Sequence, residues 1–221
     1  MKKISILFFI SLVALISCNE ENDGANQFNG KPVQIDTPIL KSTFPGYSFC
    51  LSVPWLNQVP PGDINNTKNC GQTCAVMLSG YFNNTAVNSS QITAENTWLY
   101  NYTGNSAFNN PNGYVTNASQ IQALLSQKHG LTSSILYGTT VDDILNQAYS
   151  GKPCLANVMI KGGRLVATGG VMHWTLVVGF DGCNVITNDP GTQYGFNKAY
   201  SKTAFTASWS TGNKLYMPVH N

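Results

Sequence analysis

The chain has 221 residues, of which only 10% are charged, and it carries a formal net charge of +2 at neutral pH. A charge this small and unclustered gives no electrostatic attraction for nucleic acid, so no nucleic-acid partner is predicted. With 43% hydrophobic residues, the chain can bury the core of one full domain.

Residues 1–17 have the pattern of a secretory signal peptide. Lys2 and Lys3 precede an apolar run that ends at Ile16 and is too short to span a bilayer as a helix. The run leads into Leu-Ile-Ser-Cys, which resembles the lipobox of bacterial lipoproteins, in which the cysteine receives a diacylglyceryl group and becomes the mature N-terminus. Cys18 is therefore the predicted lipid anchor and membrane contact, and an ordinary signal peptide cleaved nearby is the alternative.

Residues 18–45 are polar and contain several Gly and Pro residues, which predicts a tether. Glu20, Glu21 and Asp23 resemble the export tag that sends some lipoproteins to the outer surface, although a solvated linker would have the same composition. We expect secretion across the inner membrane and anchoring in the cell envelope at the outer membrane, and periplasmic and surface-facing placements both remain open. Residues 46–221 are predicted to form one domain.

The first predicted helix covers residues 70–82, where apolar residues recur with helical spacing behind Asn69 as a candidate N-cap. Residues 83–118 are rich in Asn, Thr, Gly and Ser, which predicts mostly loop with one short helix near residues 94–100. A second amphipathic helix is expected to end at Gly130.

A third helix is expected after Thr140, which together with Asp143 has the spacing of a capping box. After Pro153 the apolar period changes from helical to alternating, and Gly-rich or Asp-Gly turns separate the runs, which is typical of an antiparallel sheet. This order predicts an α+β domain in which N-terminal helices pack on a C-terminal antiparallel sheet.

With Cys18 lipidated, an odd number of cysteines remains, so in an oxidising compartment at least one thiol stays unpaired. Cys70 is at the first turn of the first predicted helix, where free N–H groups and the helix dipole favour a thiolate. Cys74 is one turn further along and is assigned to the core. Cys74 and three further cysteines allow three pairings into two disulfides, and a fully reduced set is the alternative: Cys50, Cys154 and Cys183.

A thiolate nucleophile needs a base, and His173 is the best candidate because it begins a strongly alternating strand. His129 is at a helix C-terminus and His220 is next to the chain end. The base in turn needs an acceptor that orients it, and the next strand ends in Asn188-Asp189.

Strand parity leaves the choice between Asn188 and Asp189 open. A two-residue turn at residues 181–182 places Asn188 on the face of His173, whereas a three-residue turn at residues 181–183 places Asp189 there.

Three blocks of sequence resemble the Cys, His and Asp blocks of papain-like cysteine peptidases, closest to the branch of bacteriocin leader peptidases that cut after double glycine: Asn69 to Thr73, Gly170 to Phe180, and Asn188 to Pro190. The resemblance implies a papain-like fold with Cys70 as nucleophile, His173 as base and Asp189 as the orienting residue. It also implies that Gln58 donates a hydrogen bond to the oxyanion. The leader peptidases are usually fused to a transporter and this chain shows no such region, so their double-glycine substrate is not expected here.

The resulting prediction is a lipid-anchored cysteine hydrolase that cleaves peptide or protein substrates and requires no cofactor. An inactive peptide-binding lipoprotein of the same fold, or a cell-wall amidase or acyl transferase with the same triad, are the alternatives. A metal site at Cys70, Cys74 and His173 is disfavoured, because the cysteine spacing is not that of a zinc knuckle and the sequence has no second pair of closely spaced cysteines.

Overall fold

The computed structural model describes residues 48–58, 67–110 and 112–221, which contain five α-helices and nine β-strands. The helices are α1 Cys70–Asn83, α2 Ser89–Thr103, α3 Ala118–Ala123, α4 Val141–Tyr149 and α5 Lys202–Thr211. The strands are β1 Ser48–Cys50, β2 Thr132–Ser133, β3 Leu136–Tyr137, β4 Cys154–Lys161, β5 Arg164–Leu165, β6 Val171–Asp181, β7 Asn184–Asn188, β8 Lys198–Ser201 and β9 Leu215–His220. The predicted signal peptide and lipid anchor at Cys18 lie outside the described residues.

The strands form one antiparallel sheet in the order β2-β9-β4-β6-β7-β8. β6 is its central strand. Along one edge of β6, β4 pairs with residues 171–177 and β1 pairs with residues 179–181. This mixed architecture of helices and antiparallel sheet confirms the predicted α+β class.

Two apolar clusters lie on opposite faces of the sheet. On one face Trp174, Leu176 and Val178 of β6 pack against α1, α2 and the α3 region. On the other face Val177 and Phe180 pack against α4 and α5. The two apolar clusters therefore pack against both faces of β6, and this packing fixes the positions of the side chains along the strand.

A β-bulge between Val177 and Gly179 explains the change of face along β6, since the strand gains one residue against β7 at that point. Gly179 itself lies where β1 approaches closely, and an added Cβ would come within 2.0 Å of the Phe49 carbonyl oxygen. The glycine is thus required for β1 to pair with the end of β6.

The predicted loop at residues 83–118 is wrong, because α2 extends from Ser89 to Thr103. A capping box between Asn88 and Gln91 starts this helix, and Ile92, Glu95, Asn96 and Leu99 are its buried residues. Two of those four are polar, so the apolar period that usually marks a helix is interrupted. The predicted short helix near residues 94–100 lies within α2.

Asn69 is the N-cap residue of α1, as predicted, but in the described part of the chain its side chain does not cap the helix. Its Oδ1 accepts a hydrogen bond of 2.9 Å from Asn96 instead. The second and third predicted helices are confirmed as α3 and α4. A π-helical turn, Leu124–Lys128, prolongs α3, and the Asp143 carboxylate accepts from the Thr140 N–H at 2.8 Å to start α4.

Candidate active site

The four candidate residues come from four separate elements and are all buried. Cys70 is the first residue of α1, His173 is near the start of β6, and Asp189 directly follows β7. Gln58 is in the extended segment after β1, and its backbone N–H donates to the Pro190 carbonyl at 3.0 Å. The fold therefore brings together residues that are more than 100 positions apart in sequence.

The start of α1 contacts a part of β6 whose edge is not paired with β7. β7 pairs with β6 between Leu176 and Asp181, so the Trp174 peptide groups lie beyond the end of β7. The Trp174 N–H donates to the Cys70 sulfur, and the Cys74 thiol donates to the Trp174 carbonyl at 3.7 Å. Both cysteines thus hold α1 against the strand that carries His173.

Opposing effects set the pKa of Cys70. Burial raises it, whereas the hydrogen bond and charge of His173 and the N–H groups of Trp174 and Gly71 lower it, and the balance lies below the ordinary value of 9.0. In Cys74, burial, the Cys70 sulfur and the Asp189 charge all raise the pKa well above 9.0. Cys70 is therefore the thiol of the pair that is ready to ionise.

His173 contacts both candidate partners. Its Nε2 lies 2.8 Å from Asp189 Oδ1, and its side chain also hydrogen-bonds with Cys70. Because Asp189 occupies Nε2, Nδ1 is the ring nitrogen left for the sulfur. Gly191 leaves room for this ring, since an added Cβ would come within 2.8 Å of His173 Cε1.

The register between β6 and β7 explains why Asp189 and not Asn188 faces His173. The turn consists of Gly182 and Cys183, since Asp181 pairs with Asn184, so both predicted turns are wrong. The β-bulge then shifts the register by one, and Leu176 pairs with Asn188. Continuing this register places Asp189 opposite residue 175, on the His173 face of the strand.

Asn188 has a different role, because its side chain faces the segment after β1. Its Nδ2 donates to the Val53 carbonyl at 2.8 Å, and its Oδ1 accepts from the Asn197 N–H at 3.0 Å. The amide therefore joins three chain segments beneath the site.

The His173 and Asp189 side chains hold each other in their charged forms. Burial lowers the pKa of His173, but the Asp189 charge and hydrogen bond raise it more, with a further contribution from Cys70, to about 10. Burial likewise raises the pKa of Asp189, but the charge and hydrogen bond of His173, assisted by Tyr200 and Lys198, lower it to about 2. Imidazolium and carboxylate are therefore the stable pair near neutral pH.

The Gln58 side chain contacts Thr67, in the segment that leads into α1. Its Nε2 donates to the Thr67 carbonyl at 3.2 Å and to the Thr67 hydroxyl at 3.1 Å. Its Oε1 is buried and has no hydrogen-bond partner among the described residues. An amide that has one unpartnered buried end is poised to bind a polar group there.

Sequence reasoning missed the amides that anchor α1 and the tyrosine that contacts Asp189. Asn96 of α2 joins Asn69 to Gln72, whose Nε2 donates to the Asn96 Oδ1 at 2.8 Å. The Tyr200 hydroxyl of β8 donates to Asp189 Oδ2 at 2.6 Å. Gln72 lies within the block of residues 69–73 but was assigned no role, and no local signal in the sequence pointed to Tyr200.

The three predicted disulfide pairings are wrong. Cys50, Cys74 and Cys154 are all free and buried, whereas each of the three predicted pairings would bond two of them to each other. Burial raises the pKa of Cys50 to about 12 and raises that of Cys154 as well.

Two features are absent from residues 48–58, 67–110 and 112–221. No helix there is long and apolar enough to cross a membrane. No group of three or more His, Cys, Asp or Glu side chains in these ranges could hold a metal ion.

Comparison with known proteins gives one family and several distant structures. The model of the Peptidase_C39-like family matches residues 50–217. No curated protein matches the chain in sequence. A solved structure described as a C39-like peptidase from Bacillus anthracis is 16% identical, has a TM-score of 0.55, and covers 80% of this chain and 98% of its own. This likeness confirms the predicted papain-like peptidase fold.

Two further solved structures are less similar. One is the peptidase domain of Streptococcus ComA, a bi-functional ABC transporter involved in a quorum-sensing pathway, with 16% identity, a TM-score of 0.45, and coverage of 75% of this chain and 95% of its own. The other is a double glycine motif protease from an AMS/PCAT transporter in complex with the leader peptide, with 14% identity, a TM-score of 0.48, and coverage of 80% and 95%.

The charged pair predicts how stability depends on pH. The raised pKa of His173 stabilises the fold fully below its ordinary value of 6.5, and this contribution is lost as pH rises toward about 10. The lowered pKa of Asp189 stabilises the fold above 3.8, and this contribution is lost as pH falls toward about 2. Asp189→Asn removes both contributions. We therefore expect the loss in the free energy of unfolding to be greatest between about pH 4 and 6.5.

Urea unfolding of wild type and Asp189→Asn at several pH values measures this difference. Asp181→Asn, which removes an exposed carboxyl from the same hairpin, serves as the control. A difference between wild type and Asp189→Asn that stays flat from pH 3 to 9 would show that the pair is not charged in the folded protein.

Proposed function

Because the chain belongs to the Peptidase_C39-like family, we propose that it is a cysteine peptidase that cleaves peptide bonds through Cys70, His173 and Asp189. The observation that carries this proposal is the series of contacts from the Cys70 sulfur through His173 to Asp189. His173 Nε2 lies 2.8 Å from Asp189 Oδ1, and the imidazole also hydrogen-bonds with the sulfur. The lowered pKa of Cys70 and the raised pKa of His173 support a thiolate and imidazolium pair at neutral pH.

The proposed reaction has two halves. The Cys70 thiolate attacks the carbonyl carbon of the scissile peptide bond, and the His173 imidazolium gives its proton to the departing amine, leaving a thioester. His173, now neutral, takes a proton from water, and the hydroxide formed attacks the thioester. The acid product leaves, and the thiolate and imidazolium pair is restored. Asp189 keeps the imidazole oriented in both halves.

Gln58 is the proposed oxyanion donor, together with the backbone N–H of Cys70. Its buried Oε1 has no partner among the described residues, and a half-turn of the amide would aim Nε2 at that position. Oε1 could then accept from the Thr67 hydroxyl, so the rotation retains one hydrogen bond. The amide would thus offer its donor where a negative oxygen develops.

We further propose that Cys18 carries a lipid that anchors the enzyme in the cell envelope at the outer membrane. The support is the sequence of residues 1–18 alone, with its basic start, apolar run and Leu-Ile-Ser-Cys ending. A diacylated cysteine would hold the folded domain near the membrane through the segment that precedes β1.

Replacement of the two cysteines of α1 tests the assignment of the nucleophile. Cys70→Ala is expected to reduce peptide cleavage at least about 10³-fold, since it removes the attacking atom. Cys74→Ala leaves that atom in place and should retain most of the activity. Cleavage of a fluorogenic peptide library measures both variants, and mass spectrometry with a thiol-reactive inhibitor identifies the labelled sulfur.

Loss of cleavage in Cys74→Ala alone would contradict this assignment. Binding of peptides without any cleavage by wild type would instead favour the inactive binding protein. Hydrolysis of peptidoglycan stem peptides but not of the library would favour the cell-wall amidase.

Replacement of Gln58 tests the proposed oxyanion site. Gln58→Ala is expected to reduce kcat about 10²- to 10³-fold with little change in KM, because the donor acts on charge that develops in the transition state. Steady-state kinetics measure both constants. Gln122→Ala, on α3, is the matched control because it removes an amide that donates to the Ser133 carbonyl. An increase in KM alone would identify Gln58 as a substrate-binding residue instead.

Replacement of Cys18 tests the anchor. Cys18→Ala should abolish incorporation of labelled fatty acid and move the protein from the membrane fraction to the soluble fraction, because the acceptor thiol is gone. Metabolic labelling followed by fractionation measures both effects, and Cys50→Ala is the control. Labelling that persists in Cys18→Ala would show that another residue carries the lipid.

A further inference from the structure

The second carboxylate oxygen of Asp189 has its own partner, on a strand that the candidate triad does not use. The Tyr200 hydroxyl donates to Asp189 Oδ2 at 2.6 Å, and both side chains are buried. Tyr200 lies on β8, where it pairs with Val185 of β7. It therefore reaches the aspartate from the outer edge of the sheet, opposite the side from which His173 approaches.

Every other polar atom of Asp189 is also hydrogen-bonded. Oδ1 receives His173 Nε2 and the Gly191 N–H, each at 2.8 Å. The backbone N–H donates to the Gly195 carbonyl at 2.9 Å, and the backbone carbonyl accepts from Trp55 Nε1 at 3.1 Å. Tyr200 thus completes the set, and without its hydroxyl Oδ2 would lose a charge-assisted hydrogen bond inside the protein.

The tyrosine is itself held firmly and remains protonated. Lys198 lies over its ring, with Nζ 4.6 Å from the ring centroid, and the same Nζ donates to the Gly163 carbonyl at 3.0 Å. Burial and the Asp189 charge raise the pKa of Tyr200 well above 10.0. Its hydroxyl therefore stays a donor over the whole pH range in which the site would operate.

We propose that Tyr200 is a positioning residue that fixes the Asp189 carboxylate and, through it, the ring of His173. The proposal rests on the proposed function of the site. With Oδ1 and Oδ2 bound from opposite sides, the carboxylate cannot rotate about χ2, so Oδ1 stays in line with Nε2. The contacts thus extend from sulfur to imidazole, carboxylate and phenol, in four side chains that come from α1, β6, the position after β7, and β8.

Removal of the hydroxyl should change the pH dependence of the site. The titratable groups around the carboxylate are His173 of β6, Cys70 and Cys74 of α1, and Lys198 and Tyr200 of β8. Tyr200→Phe deletes a donor to the charged form of Asp189 and leaves the other four in place. Asp189 should then take up a proton at a higher pH. The acid limb of the pH profile, where Cys70 reactivity falls on acidification, should therefore move to higher pH.

The test compares Tyr200→Phe with wild type and with Tyr216→Phe, a buried tyrosine of the same cluster. We expect kcat to fall about tenfold in Tyr200→Phe at unchanged KM, and the acid limb to move up by about one pH unit. Tyr216→Phe should keep the wild-type profile. Alkylation of Cys70 by iodoacetamide across pH gives the same limb without any substrate.

Each outcome decides a separate question. An unshifted acid limb in folded Tyr200→Phe, in both cleavage and alkylation, would overturn the role of Tyr200. A shifted alkylation limb in a protein that cleaves no peptide would retain that role and overturn the proposed function.

A measurement on wild type keeps the proposal falsifiable if Tyr200→Phe does not fold. The hydroxyl proton of Tyr200, observed by NMR in protein with labelled tyrosine rings, should be protected from exchange. Its chemical shift should also change with pH, at the same midpoint as the acid side of the Cys70 alkylation profile. Rapid exchange without such a shift would overturn the proposal.

Discussion

The arrangement depends on two hydrogen bonds that the backbone of Trp174 makes with Cys70 and Cys74, which lie one turn apart on α1. β7 pairs with β6 only as far as Leu176. β6 extends beyond that residue toward its own start, and the Trp174 backbone groups there are directed away from β4. Cys70 and Cys74 satisfy these groups, one by accepting and one by donating. Satisfying buried peptide groups in this way ties the helix N-terminus to the residue next to His173, so the sulfur and the imidazole meet as a consequence of backbone pairing.

The bulge in β6 has the complementary effect on the other side of the imidazole. It shifts the register by one residue, which turns Asp189 toward His173 and leaves Asn188 to join the segment after β1 to the loop before β8. The same irregularity lets Val178 and Phe180 face opposite cores. A single extra residue thus selects the side chain that contacts His173 and distributes the apolar residues between the two layers.

The sequence allowed the prediction of those parts of the site that follow from local patterns. Cys70 at the start of an apolar helical run and His173 at the start of an alternating strand both have a local signature. Strand parity could not decide between Asp189 and Asn188 as the partner of His173. Neither the turn at Gly182 and Cys183 nor the bulge in β6 has a clear signature in the sequence. The resemblance to a known family supplied the choice that strand geometry left open.

The elements that were missed share a physical cause. α2 buries Glu95 and Asn96 beside Ile92 and Leu99, so polar residues occupy half of its inner face and conceal the helical period. β8 is four residues long and contributes Tyr200 through tertiary pairing alone. A residue whose importance comes from a partner elsewhere in the fold has no signal in its own neighbourhood, and Tyr200 is such a residue.

The amides that anchor α1 have one more consequence. Asn69, Gln72 and Asn96 are buried and bonded in series, so the turn that carries the sulfur is fastened to α2 by groups that bear no charge at any pH. Acidification can therefore alter which atoms of the site hold protons while the framework around the sulfur stays in place. The groups that hold Cys70 in place are therefore different from the groups whose protonation sets its charge.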